Sequence, residues 1–266
     1  MLGTCGIAAY PGYLEPRWLR VAQTNVKLSR PLAEPVRILQ LSDLHLSAVL
    51  PLSIIESAIT QGLALRPDVV CLTGDFITGK EDLRSGAYAR ALSRLSAAAP
   101  TFAVLGNHDG GLWADAYGGH SDHIAVEQTL QSAGIRLLHN QSHVMQVRDA
   151  RLNLVGVGDL WADEIDAKRA FSGIDNGKPT VLLSHNPDSK DVFGEHPWDL
   201  MLSGHTHGGQ VILPFDGPRF APVVDKRYVA GLGAWGERQI HVSRGVGNLH
   251  GVRFRCRPEI NLLTLS

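Results

Sequence analysis

The sequence predicts an α/β protein built on a sheet covered on both faces, and three observations carry that expectation. Short apolar, β-branched runs recur at residues 36–41, 68–73, 101–105 and 180–183, as strands buried on both sides require. Helical patterns separate the first three runs, in βαβ order. Each run ends in a polar loop, and in such sheets ligands bind beyond the carboxyl ends of the strands.

The chain has 266 residues, enough for one large domain. Its 44% hydrophobic and 19% charged residues are an ordinary globular balance. A net charge of −1 supplies no basic field for nucleic acid, which is excluded as a partner. Cys5, Cys71 and Cys256 are too few and scattered for a disulfide framework or a zinc ribbon, and Cys71 reads as a core residue. No run of 18 apolar residues encodes a membrane span. Residues 1–10, small and apolar, read either as a disordered terminus or as the tail of a signal or anchor segment. Residues 1–35 are expected to form an arm, with prolines at 11, 16, 31 and 35, and residues 36–266 the domain. The arm is read as extended or as an edge strand. Its Trp18, Leu19 and Arg20 are its candidates for peripheral membrane contact.

Taken in order, residues 36–41 form the first strand and end in Ser42-Asp43-Leu44-His45. In an extended backbone Asp43 and His45 point the same way. Pro51 opens a helix whose buried stripe is Ile54, Ile55, Ala58, Ile59 and Leu63, with Pro67 beyond its end. The second strand, residues 68–73, ends in Gly74-Asp75. A helix over 81–98 follows, then a third strand, 101–105, ending in Gly106-Asn107-His108-Asp109. Residues 110–120, rich in glycine and holding Trp113 and Tyr117, show neither period and read as a mobile loop near the site. A helix capped by Ser121 or Asp122 stops at Gly134. Strands are expected at 135–138, 144–147 and 152–157, the last running into Asp159 and Trp161, which read as turn and core-edge residues. The strand at 180–183 ends in Ser184-His185. A short buried segment before residue 204 runs into Gly204-His205-Thr206-His207-Gly208-Gly209-Gln210, and strands follow at 211–213, 239–243 and 260–265.

Five strand-end loops therefore offer Asp43, His45, Asp75, Asn107, His108, His185, His205 and His207. Oxygen and imidazole donors without thiolate suit manganese, iron or zinc better than a structural zinc. Two carboxylates, four imidazoles and an amide exceed the needs of one tetrahedral ion and match two ions sharing a carboxylate, as in sites that act at phosphorus. Two divalent ions, two carboxylates and a bridging hydroxide leave one net positive charge, which attracts an anionic phosphate. His108 is then the free imidazole. With Asp109 beside it, it is suited, as an imidazolium, to stabilise phosphoryl charge or protonate a leaving oxygen. Trp113, Tyr117, Arg244, Asn248 and His250 are the candidate substrate contacts.

These blocks resemble the signature of the calcineurin-like metallophosphoesterases: Asp43-Leu44-His45, Gly74-Asp75, Gly106-Asn107-His108-Asp109, His185 and Gly204-His205-Thr206-His207, in family order. The resemblance implies a four-layer α/β/β/α sandwich. It implies that Asp43, His45, Asp75 and His207 hold one divalent ion and that Asp75, Asn107, His185 and His205 hold a second. Manganese is the first choice of metal, with iron, zinc or magnesium as the others. A metal-bound hydroxide would be the nucleophile and His108 would assist at the phosphate. His185-Asn186-Pro187-Asp188, residues 198–200, 205–210 and 225–231 and Arg257-Pro258-Glu259 are similar to bacterial phosphodiesterases of the YaeI/YkuE type, which are related to a UDP-2,3-diacylglucosamine pyrophosphatase. The expectation is a monomeric phosphodiesterase or pyrophosphatase acting on a phosphate-containing small molecule or lipid, such as a sugar nucleotide. A phosphomonoesterase and a non-catalytic, membrane-associated phosphate-binding protein are the alternatives. The protein would be membrane-associated or exported if its first residues are a truncated signal, and cytoplasmic otherwise.

Overall fold

The computed structural model of the protein describes residues 10–218 and 220–266. Most of the apolar stretch at 1–10, including Cys5, lies outside the described residues. Two six-stranded mixed sheets form the frame. In the first, β1 (Arg20–Val26) runs parallel to β12 (Glu259–Leu265), and β12 is antiparallel to β2 (Val36–Leu41). Parallel β3 (Val69–Thr73), β4 (Thr101–Val104) and the two-residue β5 (Arg136–Leu137) complete it. In the second, β7 (Ala150–Gly156), β8 (Thr180–Leu183), β9 (Leu200–Ser203) and β11 (Arg238–Val242) are parallel. The sheet is flanked by antiparallel β6 (Gln141–Val147) and β10 (Gly231–Trp235).

Strand alternation builds the layers. Val36, Ile38, Val69, Cys71, Phe102 and Val104 of the first sheet meet Leu152, Leu154, Val181, Leu183, Leu200 and Leu202 of the second in one core. The intervening residues Leu39, Leu41, Val70, Leu72 and Ala103 face the other way. They pack on α1 (Leu52–Ala64), α2 (Ala87–Ala98) and α4 (Ile124–Ser132), through Ile55, Ala58, Ile59, Leu92, Leu95, Val126 and Leu130. Behind the second sheet, Val155, Leu182, Met201 and Ile240 pack on Phe171, Phe193, Trp198 and Tyr228. That outer layer is thin: α5 (Ala167–Ala170) and a 3-10 turn at Pro187–Asp191. The four layers of the family resemblance are therefore present.

Local departures from the sequence reading have physical causes. The second helix begins at Ala87 rather than near residue 81, because Gly86 takes φ 66°, the left-handed region in which it caps rather than continues a helix. The stretch 110–120 holds a short helix, α3 (Gly111–Ala116), which its glycines conceal. Residues 211–213 make only isolated bridges, Val211 to Phe254 and Leu213 to Gly217. The unforeseen β10 is an edge strand whose Gly-Leu-Gly-Ala-Trp sequence lacks a β-branched signature. Within the arm, Arg20–Val26 form the edge strand β1, whereas Tyr10–Leu14 and Glu15–Arg17 are helical turns rather than extended chain. Trp18 is 55% exposed, and the Arg257 guanidinium lies 3.9 Å from its ring centre. Leu19 packs on the core and Arg20 enters β1. Among the described residues no helix is long and apolar enough to cross a membrane. Cys71 is fully buried in the inter-sheet core, and both Cys71 and Cys256 are free thiols.

Candidate metal centre

The motif loops leave the parallel strands β2, β3, β4, β8 and β9 at one end, where the two sheets meet. The loops after β2 and β3 are laced together by Asp43 N–H to Gly74 O at 2.9 Å and His45 N–H to Asp75 O at 3.0 Å. Asp43, His45, Asp75, His205 and His207 all have positive φ, between 45° and 69°. Left-handed conformation at bulky residues is costly and persists only where the surroundings over-determine it. The extended geometry expected to align Asp43 with His45 is thus absent; two left-handed residues turn them together instead. Gly204 is required for another reason: a Cβ there would overlap Ser42 Oγ and the Asp43 carboxylate.

Asp43, His45, Asp75 and His207 are buried, and their donor atoms lie within 4.8 Å of one another. His45 Nε2 is 3.1 Å from His207 Nε2 and 3.3 Å from Asp75 Oδ2. On the other side of Asp75, His185 Nε2 stands 3.1 Å from the same Oδ2. His185 Nδ1 is 2.7 Å from Thr73 O; a carbonyl only accepts, so that nitrogen carries the proton and Nε2 is left as a donor to a metal. His205 repeats the logic with its nitrogens exchanged. Nε2 donates to Pro222 O at 3.1 Å, and Nδ1 faces Asn107 Oδ1 at 3.0 Å. Among the described residues, buried Asp43 Oδ2 and His185 Nε2 meet no hydrogen-bond donor. Electron-pair donors that converge on one point and find no proton donor fit divalent cations.

The electrostatics agree. Burial pushes His205 down to about 3 and His207 well below its ordinary value, so both rings are neutral, the form that can bind a metal. Burial raises Asp43, and the Asp75 charge adds to it. Burial alone would also raise Asp75, but the charge of His185, joined by that of His108 once acid protonates that ring, outweighs it and holds Asp75 well below the carboxylate range. His185, despite burial, is held well above its ordinary value by Asp75. A buried proton there occupies the place a metal cation would take.

His108 lies beside this group, its ring centre 5.0 Å from that of His45, and its backbone N–H donates to Asp75 Oδ1 at 3.0 Å. Burial lowers its side chain to about 4, so the imidazolium expected from the sequence is disfavoured and the ring is a neutral N–H donor. Asp109 does not hold that ring. Its carboxylate accepts the backbone N–H groups of Asp75 (2.9 Å), Phe76 (2.6 Å), Ile77 (3.4 Å) and Gly106 (2.8 Å), and so shapes the loop that carries Asp75.

A cleft of about 590 Å³ opens over the centre. Trp113, Tyr117 and His250 line it. Arg244 and Asn248 do not. Arg244 turns to Glu259, with Nε 3.8 Å from Oε2, and buried Asn248 accepts the Gly251 N–H within its own turn. Trp161, Phe220, Leu249 and Val252 also line the cleft and were not singled out as substrate contacts. Trp161 follows a strand end, β7, as the metal-capable residues do. Strand-end position was the signal that could have found it.

The model of the calcineurin-like phosphoesterase family matches residues 36–209, and the chain belongs to that family of metallophosphoesterases. It is 45% identical to phosphodiesterase YaeI of Escherichia coli (strain K12), covering 96% of this chain and 92% of that protein. It is 29% identical to UDP-2,3-diacylglucosamine pyrophosphatase LpxG of Chlamydia trachomatis, covering 96% and 91%. The solved structure of TT1561 of Thermus thermophilus has the same fold, with a TM-score of 0.51 at 15% identity over 79% of this chain and 90% of that one.

Proposed function

We propose that the protein hydrolyses a phosphodiester or diphosphate bond at a centre of two divalent ions. The observation that carries this reading is the convergence of seven buried or nearly buried donors with orphaned acceptor atoms on one strand-end surface. Asp43, His45, Asp75 and His207 would hold one ion; Asp75, Asn107, His185 and His205 would hold the other. When bound, such ions supply positive charge that activates water and neutralises phosphoryl oxygens. Manganese heads the candidates, with iron, zinc and magnesium behind it.

Asp75 stands between the two groups of ligands, and its Oδ1 is steadied by the His108 N–H. The His108 ring, packed edge-on 4.8 Å from Trp113, offers an N–H to a phosphoryl or leaving-group oxygen. The names of the relatives, a phosphodiesterase and a diphosphate-cleaving enzyme, support a diester or diphosphate ahead of a monoester.

Elemental analysis of purified protein, with turnover of bis(p-nitrophenyl) phosphate after stripping and single-metal reloading, tests this. About two ions per chain and restored turnover are expected, with a loss of about a thousandfold or more in Asp75→Asn. A protein that binds one ion or none, and turns over no diester with any metal, is not this enzyme.

A further inference from the structure

We propose that the cleft selects a singly charged phosphodiester bearing an apolar substituent and seats that substituent on a wall of Trp113, Trp161, Phe220, Leu249 and Val252. This rests on the reading of the centre as a phosphoesterase site and specifies its substrate class.

The wall begins at the centre itself. The Trp161 ring stands edge-on, 4.3 Å between centres, against His205, and Trp113 stands 4.8 Å from His108. From there the apolar surface continues outward. The Trp113 and Trp161 rings lie 5.6 Å apart with 35° between their planes, and Tyr117 extends Trp113 at 4.5 Å. Phe220, Leu249 and Val252 line the same cleft. Much of this surface is uncovered: Trp161 is 40% exposed and Phe220 64%. Large aromatic faces open to water beside a reaction centre are surface that a substrate gains by covering.

The charge pattern narrows the substrate further. Among the described residues that line the cleft there is no lysine or arginine. Arg244, a candidate substrate contact from the sequence that could have clamped a phosphate, is turned to Glu259. A second anionic group beyond the reacting phosphate would be desolvated against tryptophan and phenylalanine, with no lysine or arginine among the described lining residues to answer it. A diester, with its single charge held at the centre, leaves that wall to an uncharged group. The wall's chemistry is shared by an aryl ring and an alkyl chain.

Four p-nitrophenyl diesters test this on the metal-loaded protein: methyl, phenyl, octyl and 4-carboxyphenyl. In each, water forms a new P–O bond, p-nitrophenolate leaves with its electron pair, a phosphate monoester remains and protons are released, so leaving group and chemistry are constant. The expected kcat/KM for phenyl or octyl is at least about tenfold above methyl. The larger of the two identifies an aryl or an alkyl occupant. The 4-carboxyphenyl diester, with its second charge, falls well below phenyl. Equal values across the series overturn the proposal. In Phe220→Ala, a change at an exposed position that leaves the core intact, and in Trp161→Ala, the ratio of phenyl or octyl to methyl falls towards one; an unchanged ratio in both places the substituent elsewhere and overturns it. If no diester is turned over, the phosphoesterase reading fails. The wall is then tested alone by calorimetric binding of diphenyl against dimethyl phosphate, where tighter diphenyl binding supports the seat and equal affinity overturns it.

Discussion

Asp109 accepts four backbone N–H groups and so fixes the turn from which Asp75 reaches the centre. Asp109→Ala should therefore act through Asp75, weakening metal affinity about 10- to 100-fold. Metal titration of the stripped protein reads this, and an unchanged affinity would remove Asp109 from the architecture of the site. Gly204→Ala should be harsher, because the added methyl meets Ser42 and Asp43 on packed loops. A loss of about 2 kcal/mol or more in stability, with impaired metal uptake, is the expected result in urea unfolding. The metal-capable residues were legible because each follows an apolar strand and few other residue types serve such ions. Asp109 was misread because adjacency to His108 in sequence does not fix direction. Its carboxylate turns back to the backbone, a choice made by unpaired N–H groups 32 to 34 residues earlier in the chain. Arg244 and Asn248 were misread for a similar reason, since local turns and Glu259 satisfy them away from the cleft.

Between elements, the segment before β1 is tied to the rear of the centre. Fully buried Glu15 accepts the N–H groups of Arg255 and Cys256, and Cys256 Sγ donates to His207 O at 3.2 Å. Fully buried Arg253 gathers the carbonyls of Arg244, Gly245, Gly247 and Cys256, while Gly247 N–H donates to Asp43 O at 2.7 Å. Glu15→Ala would strand two N–H groups at a cost of about 2–4 kcal/mol, with Glu15→Gln losing less because one acceptor remains. Denaturant unfolding of both variants checks the order; equal stabilities would show that water replaces the carboxylate. The long helices and buried strands were legible from period and apolar runs. The short helix α3 and the edge strand β10 were not, because glycine at their starts erases the pattern that longer elements display. No pattern in the proline-rich arm announces the buried carboxylate, which sits in a 3-10 turn at Glu15–Arg17.

Across the molecule, the two sheets are joined by a polar seam within the apolar core. Gln40 of β2 donates to Ser203 O of β9 at 2.9 Å and accepts from His241 of β11 at 2.8 Å. A clamp at the far side holds the segment after β1 to the second sheet: the Arg30 guanidinium grips Asp199 at 2.6 and 3.0 Å, beside Thr180 N–H at 2.7 Å. Burial alone would raise Asp199, but Arg30 and Thr180 outweigh it and hold the carboxyl below its usual range. A folded-state value below the unfolded one gives stability that is full above the ordinary carboxylate pKa and is lost as pH falls through the folded value. Arg30→Ala should thus cost about 1–2 kcal/mol at pH 7, and its deficit against wild type should shrink below about pH 4. A deficit that is the same at pH 3 and pH 7 would assign the effect to packing instead. The division into two sheets was not legible from periodicity, because strands buried on both faces look alike whichever sheet they join.

The position of β12 has a consequence for biosynthesis. Among the described residues β1 is paired only with β12, and β12 is wedged between β1 and β2, although some 230 residues separate β1 from β12 along the chain. On the ribosome β1 has no partner and β2 keeps an open edge until the last strand emerges. Glu15 likewise waits for residues 255 and 256, and with them the sulfur that props His207. Nascent chains halted before residue 253 should therefore be more readily cut by protease within residues 10–30 than chains extended past the exit tunnel. Equal protection of the two would show that the first strand finds an interim partner.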